Sequence, residues 1–173
     1  MTDTIIESGM TFVLPQGQYF RFEEAQAYQS VKAFSVTEMD LCYVEGNTLF
    51  LVELKRFYDP SNPKFMPKDI SVEAVIEDLK TNFYKNAWHS LAMLAQNRSN
   101  TQTCMAGLRQ PIDFEKCQIK LIFILNIAPN KDILPLYKEI AKKLTDVKAL
   151  FRVDSVAVLD YDTAKDFYPN WIK

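Results

Sequence analysis

Two stretches of this chain carry apolar residues back to back instead of alternating with polar ones. They are Leu49-Phe50-Leu51-Val52, and Cys117 to Ile127 with Leu121-Ile122-Phe123-Ile124-Leu125 at its centre. A strand with one face in water alternates; a strand buried on both faces does not. A chain with two such strands needs covering layers on both sides of a sheet, and two amphipathic stretches are available to supply them. Asp69 to Asn97 puts Val72, Ile76, Leu79, Phe83, Ala87, Ser90, Leu91 and Leu94 on one helical face. Asp132 to Leu150 reads as a second helix, with Leu136, Ile140, Leu144 and Val147 inward and a lysine-rich outer side. Strands alternating with helices predict one α/β domain over residues 1–173, a mixed central sheet with helices on both faces.

The remaining elements are shorter. Thr11–Leu14 and Tyr19–Phe22 read as strands about a Pro15-Gln16-Gly17-Gln18 turn, and Glu23–Val31 as a short helix. Val36–Val44 and Thr48–Phe57 read as strands joined at Gly46-Asn47, and Val153–Leu159 as a final strand. Tyr58–Lys68 holds three prolines and is a loop. Gln96–Glu115 is a polar connection. The aromatic tail DFYPNWIK is expected to dock Phe167, Tyr168 and Trp171 on this chain or on a partner subunit.

Charge narrows the function classes. With 20 basic against 22 acidic residues the formal net charge is −2, which excludes a protein that coats nucleic acid by charge alone but allows docking through a local patch. No glycine-rich phosphate loop is present. Three dispersed cysteines and a single histidine make neither a disulfide framework nor a zinc site, and Cys42 and Cys117 are expected in the core. The stretch MTDTIIESGM lacks the pattern of a signal peptide, so the expectation is a soluble, cytoplasmic protein.

The sharpest feature is TEMDLCYVEGNTLFLVELKRF, residues 37–57. A two-residue turn at Gly46-Asn47 fixes the register, so Val44 should face Leu49, Cys42 face Leu51 and Asp40 face Glu53. One step further out, Glu38 should face Lys55. Opposed carboxylates at a buried strand end repel each other unless they share a proton or hold a cation. An oxygen-loving ion such as Mg²⁺ or Mn²⁺, bound by Asp40, Glu53 and the Leu54 carbonyl, resolves the conflict. The plainer reading makes Glu53 and Lys55 strand-end residues emerging into solvent, with Glu38–Lys55 a surface pair worth under about 1 kcal/mol.

Asp40 followed after twelve residues by Glu53-Leu54-Lys55 resembles the signature of the PD-(D/E)xK phosphodiesterase superfamily, the restriction-endonuclease-like nucleases. The resemblance implies a core of helix, three strands, helix and strand between Arg21 and Ile127, with a further helix and strand after it. It also implies a metal-dependent hydrolase of nucleic-acid phosphodiesters, DNA in preference to RNA, with a homodimer cutting two strands. Asp40 and Glu53 would ligate the metal, and Lys55 would orient or deprotonate water or stabilise charge at the phosphate. Met39 stands where the fuller pattern has proline. Many members add a glutamate from the first helix; Glu23 and Glu24 both lie in that region, Glu24 being preferred. Lys80 and Tyr84 on the long helix and Arg56 are the substrate-binding candidates, Arg56 within a basic cluster of Lys55, Lys64 and Lys68 interleaved with Phe57, Tyr58 and Phe65. A second class of function is a catalytically silent member of the fold acting as a nucleic-acid or protein interaction module. A third is an unrelated α/β interaction protein.

Overall fold

Gly46 has φ +58° while Asn47 stays at negative φ, the pattern of a primed two-residue hairpin turn. The turn joins two antiparallel strands of a computed structural model that describes residues 1–57, 72–97, 104–105, 107–127 and 134–173, with 27, 72–76 and 97 described by backbone alone. The expected proline loop with Lys64 and Lys68, and the side chains of Val72 and Ile76, lie outside the described residues.

In chain order the strands are β1 (Thr2–Glu7), β2 (Met10–Pro15), β3 (Tyr19–Phe20), β4 (Leu41–Glu45), β5 (Thr48–Arg56), β6 (Gln118–Asn126) and β7 (Ser155–Asp160). The helices are α1 (Gln26–Val31), α2 (Val72–Asn97), α3 (Leu134–Lys143), α4 (Thr145–Phe151) and α5 (Tyr161–Phe167), with 3-10 turns at Phe22–Glu24 and Lys32–Phe34. Five strands form one mixed sheet in the order β3-β4-β5-β6-β7, antiparallel as far as β5 and parallel from β5 to β7. The apolar runs are its central strands β5 and β6, paired along their whole length from Thr48↔Gln118 to Arg56↔Asn126.

Alternate residues of β5 enter two separate cores. Leu49 and Leu51 pack with Leu121, Phe123 and Leu125 beneath the helices, including Phe83, Ala87 and Leu91 of α2 and Leu136, Ile140, Leu144 and Val147 around α3 and α4. Phe50, Val52 and Leu54 pack on the other face with Met10, Phe12 and Leu14 of β2, Ala164 of α5, Trp171 and Ile172. The sheet therefore has helices on both faces, and the second face is shared with the β1–β2 hairpin.

Several local expectations are corrected. β2 pairs with β1, not with β3, because Ser8 and Gly9 both take positive φ and close a tight Glu7–Met10 turn. Residues 15–18 are thus a corner between two sheets. Among the described residues only β4 and β5 lie between α1 and α2; the third antiparallel strand, β3, precedes α1. Residues 36–39 are not strand, because Met39 N–H donates to Ser90 Oγ (2.8 Å) and Thr37 N–H to His89 Nδ1 (3.0 Å), both on α2. The expected helix over 132–150 is two helices broken at Leu144, whose φ/ψ of −91°/10° leaves the helical region. Cys104 is buried with Cys42, whereas Cys117 is only half-buried. Trp171 docks on this chain at 1% exposure, but Phe167 stays outside at 69%.

Candidate functional site

The observed ladder runs Val44↔Leu49, Tyr43↔Phe50, Cys42↔Leu51 and Leu41↔Val52 and stops there. One residue beyond its end, Asp40 Oδ2 accepts the backbone N–H of Leu54 at 2.7 Å. The Asp40 side chain thus replaces the backbone partner that Met39 would have been, had it not turned to Ser90. The N–H and C=O of one strand residue point to the same side, so the Leu54 carbonyl faces the same gap. Arg21 holds the corner from the other side, its Nε donating to the Asp40 carbonyl at 3.2 Å. The same guanidinium pairs with Glu7 (3.1 Å) and Glu23 (2.8 Å).

Glu53 lies on the α2 side of β5, in the row of Leu49 and Leu51, and is fully buried. Its Oε1 takes two donors, Lys55 Nζ at 2.7 Å and Asn86 Nδ2 at 2.8 Å. Its Oε2 is buried with no hydrogen-bond partner among the described residues. An ionised carboxylate has about four acceptor positions, and leaving one oxygen bare away from water costs roughly 1–3 kcal/mol or more. Burial pushes the Glu53 carboxyl up to about 7, the Asp40 charge adds to the rise, and Lys55 and Asn86 oppose it. Burial likewise raises Asp40 to about 6 against the Leu54 N–H, Lys55 and Arg21, with Glu7 adding to the rise. Burial pulls the Lys55 ammonium down, but Glu53, Asp40 and Asp78 outweigh it and the net shift is upward. In this paired state the ammonium form of Lys55 is favoured.

The structure thus brings Asp40, Glu53, Lys55 and the Leu54 backbone together. The remaining candidates lie elsewhere. Glu24 is exposed on the 3-10 turn, and Glu23 is held by Arg21. Lys80 bonds Glu77 (2.9 Å) and Glu139 (3.1 Å), and Tyr84 donates to Asp146 (2.9 Å), so both face α3 and α4. Arg56 falls on the opposite face of β5 from Glu53, against Gly9, where an added Cβ would come within 3.1 Å of its Nε. Glu38 is not opposite Lys55, because the ladder ends before it; it lies near Tyr28, whose hydroxyl donates to the Val36 carbonyl at 3.4 Å. Asn86 was not singled out by sequence. Its signal is position: on α2 it follows Phe83 by three residues and precedes Ser90 by four, at the rim of the buried stripe.

Among the described residues no group of three or more histidine, cysteine, aspartate or glutamate side chains is arranged to hold a metal ion. Two carboxylates and a backbone carbonyl fall below that count, yet their chemistry suits a hard divalent cation, and the bare Glu53 Oε2 is the atom such an ion would satisfy. No helix among the described residues is long and apolar enough to cross a membrane. No protein-family model, curated protein or solved structure matches the chain.

Proposed function

We propose that the chain is a divalent-metal-dependent nuclease that hydrolyses nucleic-acid phosphodiesters, DNA in preference to RNA, on a restriction-endonuclease-like fold. The observation that carries the reading is the fully buried Glu53 carboxylate, one oxygen bare, beside Asp40 and Lys55 at the end of a central strand. Neither charge repulsion nor the missing partner serves stability, and a group kept at such a cost is a candidate for chemistry. The order helix, β4-β5 hairpin, α2, β6 supports the fold assignment, while the early position of β3 departs from its three-strand core.

In this reading Asp40, Glu53 and the Leu54 carbonyl hold Mg²⁺ or Mn²⁺, which when bound supplies Lewis acidity at the phosphodiester. Lys55 stands as an ammonium close to the position of the scissile phosphate and stabilises its growing negative charge. Asp40 keeps the Leu54 backbone in place. Cutting both strands of a duplex takes two such sites, one from each chain of a homodimer. A net charge of −2 makes the grip on nucleic acid local, so binding is modest and salt-sensitive.

A second reading, a catalytically silent interaction module, is favoured by one observation: Lys55 is already paired with Glu53, and Asp40 with Leu54 N–H. Incubation with linear, nicked and branched DNA in Mg²⁺ or Mn²⁺ separates the two. The nuclease reading expects cleavage that EDTA stops and that Glu53→Ala and Lys55→Ala abolish. Absence of metal-dependent cleavage on every substrate, or equal cleavage by the variants, contradicts it.

A further inference from the structure

We infer that Asn86 is a positioning residue for the Glu53 carboxylate, occupying Oε1 together with Lys55 so that Oε2 alone is presented to a divalent cation. The inference rests on the cation reading above and adds to it a residue and a mode of binding, one oxygen and not two.

The two donors on Oε1 differ in what they can fix. Lys55 reaches it at 2.7 Å with its side chain 33% exposed, and a flexible ammonium orients poorly. Asn86 reaches the same oxygen at 2.8 Å from within a 26-residue helix. That helix is seated on the sheet, Phe83 stacking on Phe123 at 4.4 Å between centroids and Ala87 fully buried. An amide facing an ionised carboxylate must offer its N–H₂ side, which also fixes the orientation of the Asn86 side chain. With Oε1 taken from a rigid element, rotation of the carboxylate is restrained and Oε2 is left without a hydrogen-bond partner among the described residues. Asn86 also gives Oε1 a donor that does not depend on Lys55, so Lys55 can turn to a phosphate without leaving Glu53 bare at both oxygens.

The test is a Mn²⁺ titration of the full chain, free ion followed by electron paramagnetic resonance, for wild type, Asn86→Leu and Asn86→Ala. Melting in EDTA is measured in parallel. Wild type is expected to take up Mn²⁺, and both variants to bind about tenfold or more weakly while melting in EDTA close to wild type. A purely structural Asn86 would move the melting and leave the affinity of the folded protein unchanged. If wild type binds and both variants bind equally well, the Asn86 inference alone fails. If both variants unfold in EDTA, Asn86 is a folding residue and the inference is overturned. If wild type takes up no Mn²⁺, the cation reading itself falls, and the inference with it.

Discussion

Asp40 accepts the backbone N–H of Leu54 at 2.7 Å, just past the last rung of the β4–β5 ladder. A side chain thus continues what the backbone has stopped doing, at a gap where the Asp40 charge acts on the buried Glu53 carboxylate. Relaxing the charges in that gap should be measurable without any substrate.

Asp40→Asn removes one of two like charges and keeps an acceptor for Leu54 N–H. In EDTA at pH 8 the variant is expected to melt no lower than wild type, whereas added Mn²⁺ should no longer raise its Tm. Calorimetry with and without the ion reads both effects, and a large loss in EDTA would mean that Asp40 serves the fold.

Glu53 gives a pH signature with a definite sign. Its folded pKa, raised to about 7 from 4.5, makes the folded state bind more protons than the unfolded state between those values. Wild-type stability relative to Glu53→Gln should therefore fall as pH rises from about 4.5 through about 7, by roughly 2 kcal/mol. Urea unfolding in EDTA at pH 5 and pH 8 gives the difference, and a pH-independent gap between the two proteins would refute the burial account.

Ser90→Ala leaves the buried Met39 N–H without its acceptor at 2.8 Å. A loss of roughly 1–3 kcal/mol is expected in chemical denaturation. A neutral effect would show that residues 37–39 do not depend on α2 for their course.

The C-terminal anchor makes a prediction away from the site. Trp171 sits among Tyr43 (5.1 Å), Tyr168 (5.3 Å) and Phe50 (5.6 Å), and its carbonyl accepts Val13 N–H at 2.9 Å. Trp171→Ala should cost about 3–5 kcal/mol, as expected for emptying a large aromatic position in a core. Denaturant titration of the variant checks this.

What the sequence made legible follows from the range of the forces involved. The Cys42↔Leu51 register was readable because a glycine turn sets it locally and the apolar runs declare their burial. The helical stripe through Leu79, Phe83, Ala87 and Leu91 was readable from its period. The early end of β4 was not, because the groups that draw Thr37 and Met39 away lie about fifty residues later on α2. Lys80 and Tyr84 looked available because they leave the apolar face, but α3 and α4 supply Glu139 and Asp146 to receive them. Asn86 drew no notice, since one amide at a stripe's edge carries no pattern until the opposing carboxylate is known. β1 was missed because Ile5 and Ile6 are too few to mark a strand, and its pairing comes from the Ser8-Gly9 turn.

The central claim is that Glu53 Oε2 is a cation ligand. Crystals grown without metal and soaked in Mn²⁺, with data collected at the manganese edge, test it most directly. The account predicts an anomalous peak about 2.1 Å from Glu53 Oε2 and from Asp40, with Asn86 still on Oε1. A structure soaked at millimolar Mn²⁺ with no peak between these carboxylates, and Lys55 still locked on Glu53, would contradict it.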